Sequence, residues 1–191
     1  MNPEPPSIVL IACDELSRAE RYAARLESEH DVHAVCDVQE TLDRLTSSVA
    51  VLIVDDEFAR RFGSELLTTV DSMPAIRLVL VERDPLDDAV IERCDTRLRR
   101  PLTDGELRDA VERMIGRVAY DVKLEQYFRL ASKAAAIQTN AERSATLELC
   151  TELRSMQTEL DELLSRLPAE DGYIVATRST SEVGTARSSA N

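Results

Sequence analysis

Ile8-Val9-Leu10-Ile11-Ala12-Cys13-Asp14-Glu15 and Val51-Leu52-Ile53-Val54-Asp55-Asp56-Glu57 are the two stretches whose reading decides the fold of this chain. Each is a short apolar run that ends in acid. Continuous apolar runs of this length mark strands buried on both faces, as in a parallel sheet. Such a sheet delivers the carboxyl ends of its strands to one edge, and ligands collect in a crevice there, near a change of winding direction. With strands one and three as neighbours in the order 2-1-3-4-5, Asp14 and Asp55 meet in that crevice.

Further apolar runs lie at 32–36, 76–81 and, more weakly, 96–99, and helical segments separate them. Ser17 and Glu20 have capping-box spacing, followed by a face of Ala19, Tyr22, Ala23 and Leu26. Val38, Leu42 and Leu45 mark a second helix. Leu66, Leu67 and Val70 mark a third, and Ala89, Val90 and Cys94 a fourth. Thr103 and Glu106 repeat the capping spacing ahead of Leu107, Ala110, Val111, Met114 and Ile115. Five strands alternating with five helices predict an α/β domain with a parallel sheet over residues 1–118, too short for an eight-unit barrel.

Residues 119–167 change character. Tyr120, Leu124, Tyr127, Ala131 and Ala134 recur at spacings of three and four, as do Leu149, Leu153, Met156, Leu160, Leu163 and Leu167. This is a narrow apolar seam, and it fits either an antiparallel helix pair turning at Thr139-Asn140 or one long coiled-coil helix that dimerises. Residues 168–191 are rich in Ser and Thr and have little to bury apart from Tyr173-Ile174-Val175, so a disordered tail is expected.

The chain has 191 residues and a formal net charge of -13. That field repels phosphate backbones, which argues against nucleic-acid binding, and it suits a salt-rich cytoplasm. The amino end lacks a basic-then-apolar signal, and no run approaches the roughly 20 apolar residues of a membrane helix. A cytoplasmic protein with no membrane partner is expected. Cys13, Cys36, Cys94 and Cys150 are scattered and mostly in apolar runs, which reads as reduced core thiols. His30 and His33 lack a supporting ligand set and read as surface or strand-edge residues.

Two readings of the crevice stand side by side. In one, Asp14 and Asp55 hold Mg²⁺, with the backbone carbonyl of Glu57 as a further oxygen ligand, and Asp55 attacks phosphorus. In the other, both aspartates end strands and cap the next turns. Arg60 and Arg61 face solvent and balance the acidic field, or one of them helps to hold a phosphate.

Residues 7–118 resemble the receiver domain of two-component response regulators. The likeness rests on the first-strand run ending Cys13-Asp14-Glu15, the third-strand run ending in Asp55, and Leu98-Arg99-Arg100-Pro101. Residues from about 119 to 166 resemble the HalX domain of haloarchaeal response regulators, through Ala119-Tyr120-Asp121 and Tyr127-Phe128-Arg129-Leu130-Ala131-Ser132-Lys133-Ala134-Ala135. The resemblance implies a flavodoxin-like three-layer sandwich and no enzymatic turnover. It also implies a histidine kinase as donor, Asp55 as phosphoacceptor, Mg²⁺ as cofactor and a cis peptide before Pro101.

Three positions depart from the family pattern. Cys13 replaces one acid of the first-strand pair, and a thiol is a poor substitute toward hard Mg²⁺. Glu82 stands where a Ser or Thr hydroxyl reports the phosphoryl group, and an ionised carboxylate has no proton to donate. Arg100 replaces Lys, and a Glu82–Arg100 ion pair is the expected consequence. Together they favour a degenerate receiver that works through protein contact. The alternative is a Mg²⁺-dependent phosphoacceptor modified on Asp55. Output would pass to another signalling protein, or to a second copy of the chain through the 107–115 helix or the 120–167 seam. A metal-dependent phosphohydrolase lacks the further acid and base groups that turnover needs.

Overall fold

The computed structural model describes residues 5–84, 86, 88–138 and 143–168, with backbone alone at 88, 89, 136–138 and 143–146. The elements run β1 (Ile8–Ala12), α1 (Leu16–Ala23), β2 (Val32–Val35), α2 (Val38–Arg44), β3 (Val49–Asp55), α3 (Asp56–Asp71), β4 (Arg77–Glu82), α4 (Asp88–Ile91), β5 (Thr96–Arg99), α5 (Asp104–Gln138) and α6 (Arg143–Arg166). The chain forms two compact units, residues 1–118 and 119–191.

In the first unit the five strands make one sheet in the order β2-β1-β3-β4-β5, and every pairing is parallel. Every residue of β3 is buried, as a central parallel strand covered on both faces requires. Val51, Leu52 and Ile53 are fully shielded from water, with Leu10 and Ile11 of β1 beside them. Burying side chains of this size stabilises by roughly 1.5–3 kcal/mol each. On the edge strand β5, Thr96 and Leu98 are half-buried while Arg97 and Arg99 are exposed. The other edge strand, β2, carries His33, whose Nδ1 lies 2.7 Å from Arg44 Nη1.

Several helix ends follow from capping chemistry. Asp37 Oδ1 accepts from the Glu40 amide at 3.0 Å and starts α2. Thr103 and Glu106 form a reciprocal box: the Thr103 amide donates to Glu106 Oε2 at 2.8 Å, and the Glu106 amide donates to Thr103 Oγ1 at 3.3 Å. The box expected at Ser17 and Glu20 does not form. Glu15 is the N-cap residue of α1, and the Ser17 hydroxyl turns back to Glu15 Oε1 at 2.5 Å. α4 is short, with Val90 and Cys94 packed on the core. The core-thiol expectation is corrected for Cys36, which is exposed; Cys13 is buried, and all four cysteines are free thiols.

The second unit contains the last part of α5 and all of α6. Lys123 and Glu159 form an ion pair, and Asp161 acts electrostatically on Tyr120. As one position falls the other rises, so the two helical stretches run antiparallel, as a hairpin rather than one long helix. Leu149, Leu153, Met156, Leu160, Leu163 and Leu167 are all buried or half-buried. That is the seam expected from their spacing. Thr139-Asn140, Tyr173-Ile174-Val175 and nearly all of the expected tail lie outside the described residues. Among the described residues, no helix is long and apolar enough to cross a membrane.

Candidate functional site

The crevice at the carboxyl edge of the sheet is built by β1, β3 and the turns that follow them. Ala12 is in register with Val54, so Cys13 and Asp14 come level with Asp55 and Asp56. Asp55 closes β3 and is fully buried. Its Oδ1 accepts from the Phe58 amide at 2.8 Å, which makes it the N-cap of α3, and from the Asp14 amide at 3.3 Å. Asp56 and Glu57 occupy the first turn of α3, where negative charge meets the positive end of the helix dipole.

Sequence reasoning missed Arg18, which organises this site. Its Nη1 donates to Asp55 Oδ2 at 2.6 Å and also contacts Glu57 Oε2, while Nη2 lies 3.4 Å from Glu15 Oε2. Burial alone would lower the Arg18 pKa, but hydrogen bonds to Asp55 and Glu57 outweigh that and push it up. The available signal was spacing. Arg18 falls one turn into the helix that follows Asp14, so a long side chain there reaches back over the crevice.

The neighbouring carboxylates are also paired. Arg61 binds Asp14 and stacks over the Phe62 ring at 4.9 Å. Arg100 binds Asp56 Oδ1 and lies 3.3 Å from Glu57 Oε2. Asp56 Oδ2 accepts from the Arg83 and Asp84 amides at 3.1 and 3.3 Å. Burial would raise the Asp56 pKa; those amides, helped by Arg100 and Arg60, hold it below the usual carboxylate range. The Cys13 thiol is pushed well up by burial, then by the neighbouring Asp55 charge.

The expected Glu82–Arg100 ion pair is not made. Glu82 ends β4 almost fully buried, with Arg97 and Arg99 each 3.9 Å from its Oε1. Glu82 is in register with Arg99, so the exposed arginines of β5 approach it, while Arg100 continues past the strand to Asp56. The Arg100 amide donates instead to the Glu82 carbonyl at 2.8 Å. The Arg100–Pro101 peptide is cis.

Mg²⁺ does not fit these donors as they stand. Both oxygens of Asp55 are engaged, Asp14 is held by Arg61, and a neutral, buried thiol occupies position 13. Glu57 lies in the first turn of α3, where backbone carbonyls accept from amides four residues on. Among the described residues, no group of three or more His, Cys, Asp or Glu side chains gathers to hold a metal. The crevice as arranged is an internally neutralised cluster of carboxylates and guanidinium groups.

Residues 116–176 match the HalX domain. A curated Haloferax volcanii protein named "Putative transcriptional regulator" is 24% identical over 152 residues, covering 78% of this chain and 26% of that protein. The chain therefore spans about a quarter of that relative's length. The "signal receiver domain of putative Luxo repressor protein" from Vibrio parahaemolyticus superimposes with a TM-score of 0.53 at 19% identity, covering 63% of this chain and 95% of the other. A structure titled as an adenylate cyclase from Rhodopirellula baltica gives 0.58 at 14% identity, covering 64% and 97%. At such identities what is shared is the fold. The chain thus joins a domain of the response-regulator receiver fold to a helical region that matches the HalX domain.

Proposed function

We propose that this protein is a signal-transduction regulator whose receiver-fold domain acts by protein contact, without an aspartyl-phosphate. The observation that carries this reading is the Arg18 guanidinium seated on buried Asp55 at 2.6 Å. A phosphoryl group arriving at Asp55 would have to expel Arg18 and break the cap of α3. It would then meet Glu82 where a hydroxyl is expected. Arg18 supplies the positive charge that the buried carboxylate needs.

On this reading the chain divides into a regulator domain at 1–118 and a helical HalX domain at 119–167. It has no turnover chemistry and works in the cytoplasm. Its partner is a signalling protein such as a histidine kinase, or a second copy met through the 107–115 helix or the 120–167 seam. The acidic charge disfavours direct nucleic-acid contact.

A second reading has its own support. Asp55 ends β3, and the Asp14 amide lies 3.3 Å from its carboxylate, so the two acids are neighbours. If Arg18 and Arg61 swung away, a Mg²⁺-dependent phosphoacceptor would remain. Intact-mass measurement after incubation with a small phosphoryl donor and Mg²⁺ decides between them, with wild type beside Asp55→Asn. No adduct on either chain is expected. An aspartyl-phosphate on wild type that is absent from Asp55→Asn would overturn the first reading.

A further inference from the structure

An open cleft of about 440 Å³ lies between α1 and the turns that follow β4 and β5. Its lining is Arg18, Arg21, Arg25 and Tyr22 on the helix side, with Arg83, Arg100 and Pro101-Leu102 opposite. Among the described residues no carboxylate lines it, in a chain of net charge -13. Much of this positive charge is already answered. Arg18 is held by Asp55 and Glu57, Arg100 by Asp56 and Glu57, and Arg25 Nε lies 3.1 Å from Asp104 Oδ1. Arg21 and Arg83 differ: both are exposed, and among the described residues neither forms an ion pair. Arg100 adds a buried Nε with no hydrogen-bond acceptor.

These two guanidinium groups stand on opposite sides of the cleft, and Arg21 also feels the charge of exposed Glu15. Arg21 is in the last turn of α1. Arg83 follows β4, where its amide is tied to Asp56 Oδ2 at 3.1 Å. Guanidinium forks match phosphate oxygens in a bidentate manner, and a cleft of this size is in the range of small-molecule sites. Two linked phosphate groups give each of these guanidinium forks an anionic partner of its own, whereas one orthophosphate would have to be shared between them. The Tyr22 ring is nearly buried and has the Arg25 guanidinium 5.8 Å from its centroid, so it offers little face for stacking a base. The geometry points to a binding site for a small diphosphate, free or esterified, held between Arg21 and Arg83 with Arg100 at its floor. Binding there is non-covalent, and it stands apart from whether Asp55 is phosphorylated.

Calorimetric titration of the full chain with inorganic pyrophosphate tests this, without divalent cations and at fixed ionic strength. Saturable binding is expected, with orthophosphate at least about tenfold weaker. Arg21→Gln and Arg83→Gln should each weaken pyrophosphate binding about tenfold or more, the scale of a lost charged hydrogen bond. Arg44→Gln, which removes a cation already paired on α2, should change nothing. Both cleft residues are exposed, so thermal melting of the two variants should match wild type. A nucleoside diphosphate tested alongside identifies the source: tighter binding than pyrophosphate points to an ester, weaker binding to the free anion, and both uphold diphosphate recognition. Failure to saturate, equal affinity for orthophosphate, or Gln variants that bind like wild type would each overturn the inference. None of these readouts depends on the mass adduct that tests the proposed function.

Discussion

The carboxyl edge of the sheet and the helix pair of residues 119–167 are stabilised by different physics. At the sheet edge, Asp55, Asp56 and the Arg18 and Arg100 heads are largely withdrawn from water, and each charge there is tolerated because an opposite charge touches it. Burying such pairs adds little net stability, but breaking one leaves a buried orphan charge that is costly. The helix pair relies on a narrow apolar seam, with Met156 and Leu160 nearly buried and charges such as Lys123 and Glu159 at its margin. The first region is sensitive to single charges, and the second to the loss of methyl groups.

The largest expected effect comes from removing the guanidinium from Asp55. Arg18→Ala leaves a fully buried carboxylate without its cation, and should destabilise the chain by about 3 kcal/mol. A lower urea midpoint with an unchanged slope would report it. Added Mg²⁺ should then restore part of the loss in the variant while leaving wild type unmoved. A cost below about 1 kcal/mol, typical of surface pairs, would mean that Arg18 is loosely held on Asp55 and would favour the phosphoacceptor reading.

Next in size is the seam. Leu160→Ala removes a nearly buried side chain and should cost about 2 kcal/mol. Leu147→Ala, at 70% exposed, should stay within about 0.5 kcal/mol. Hydrogen exchange would locate the Leu160 effect in the helix pair, with the sheet amides unaffected. Equal costs at the two positions would break the contrast, because the seam would then not be the source of stability.

The acid limb of stability is a third discriminator. The Asp56 carboxyl is held below its ordinary range, so its contribution is fully present above the unfolded value near pH 4 and is lost as pH falls through the folded value. Wild type should therefore lose stability below about pH 4 more steeply than Asp56→Asn. Parallel acid limbs would show that Asp56 is not the linked group.

Most of the fold was legible in the sequence because parallel strands are written as uninterrupted apolar runs. The runs at 8–12, 51–54, 76–81 and 96–99 fall on β1, β3, β4 and β5 within two residues at their ends. The seam was equally legible, since burial in a helix pair follows the heptad spacing. The partners of the crevice were not. Asp14, Asp55 and Arg100 were visible as residues, but which guanidinium reaches which carboxylate depends on strand register and side-chain length. Arg100 was expected to meet Glu82, yet register gives Glu82 to Arg97 and Arg99, and Arg100 extends to Asp56. Arg18 went unnoticed because an arginine on an early helical turn usually faces water. Here the acid it reaches lies 37 residues away in sequence.

The smallest expected effect sets two identical sequence signals against each other. Ser17/Glu20 and Thr103/Glu106 have the same capping spacing, but the reciprocal bonds form at the second pair alone. At the first, Arg18 is drawn toward Asp55, and the opening bonds of α1 run from the Arg18 and Ala19 amides to the Glu15 carbonyl at 2.9 and 3.2 Å. The helix therefore begins before Ser17 can serve as its cap. Thr103→Ala should cost about 1 kcal/mol, whereas Ser17→Ala should stay within about 0.5 kcal/mol. In the Arg18→Ala background the constraint on the start of α1 is released, and Ser17 becomes free to cap. Ser17→Ala should then become more costly than it is in wild type, which a double-mutant cycle would read directly. Strict additivity of the two substitutions would separate the start of α1 from the Arg18–Asp55 contact.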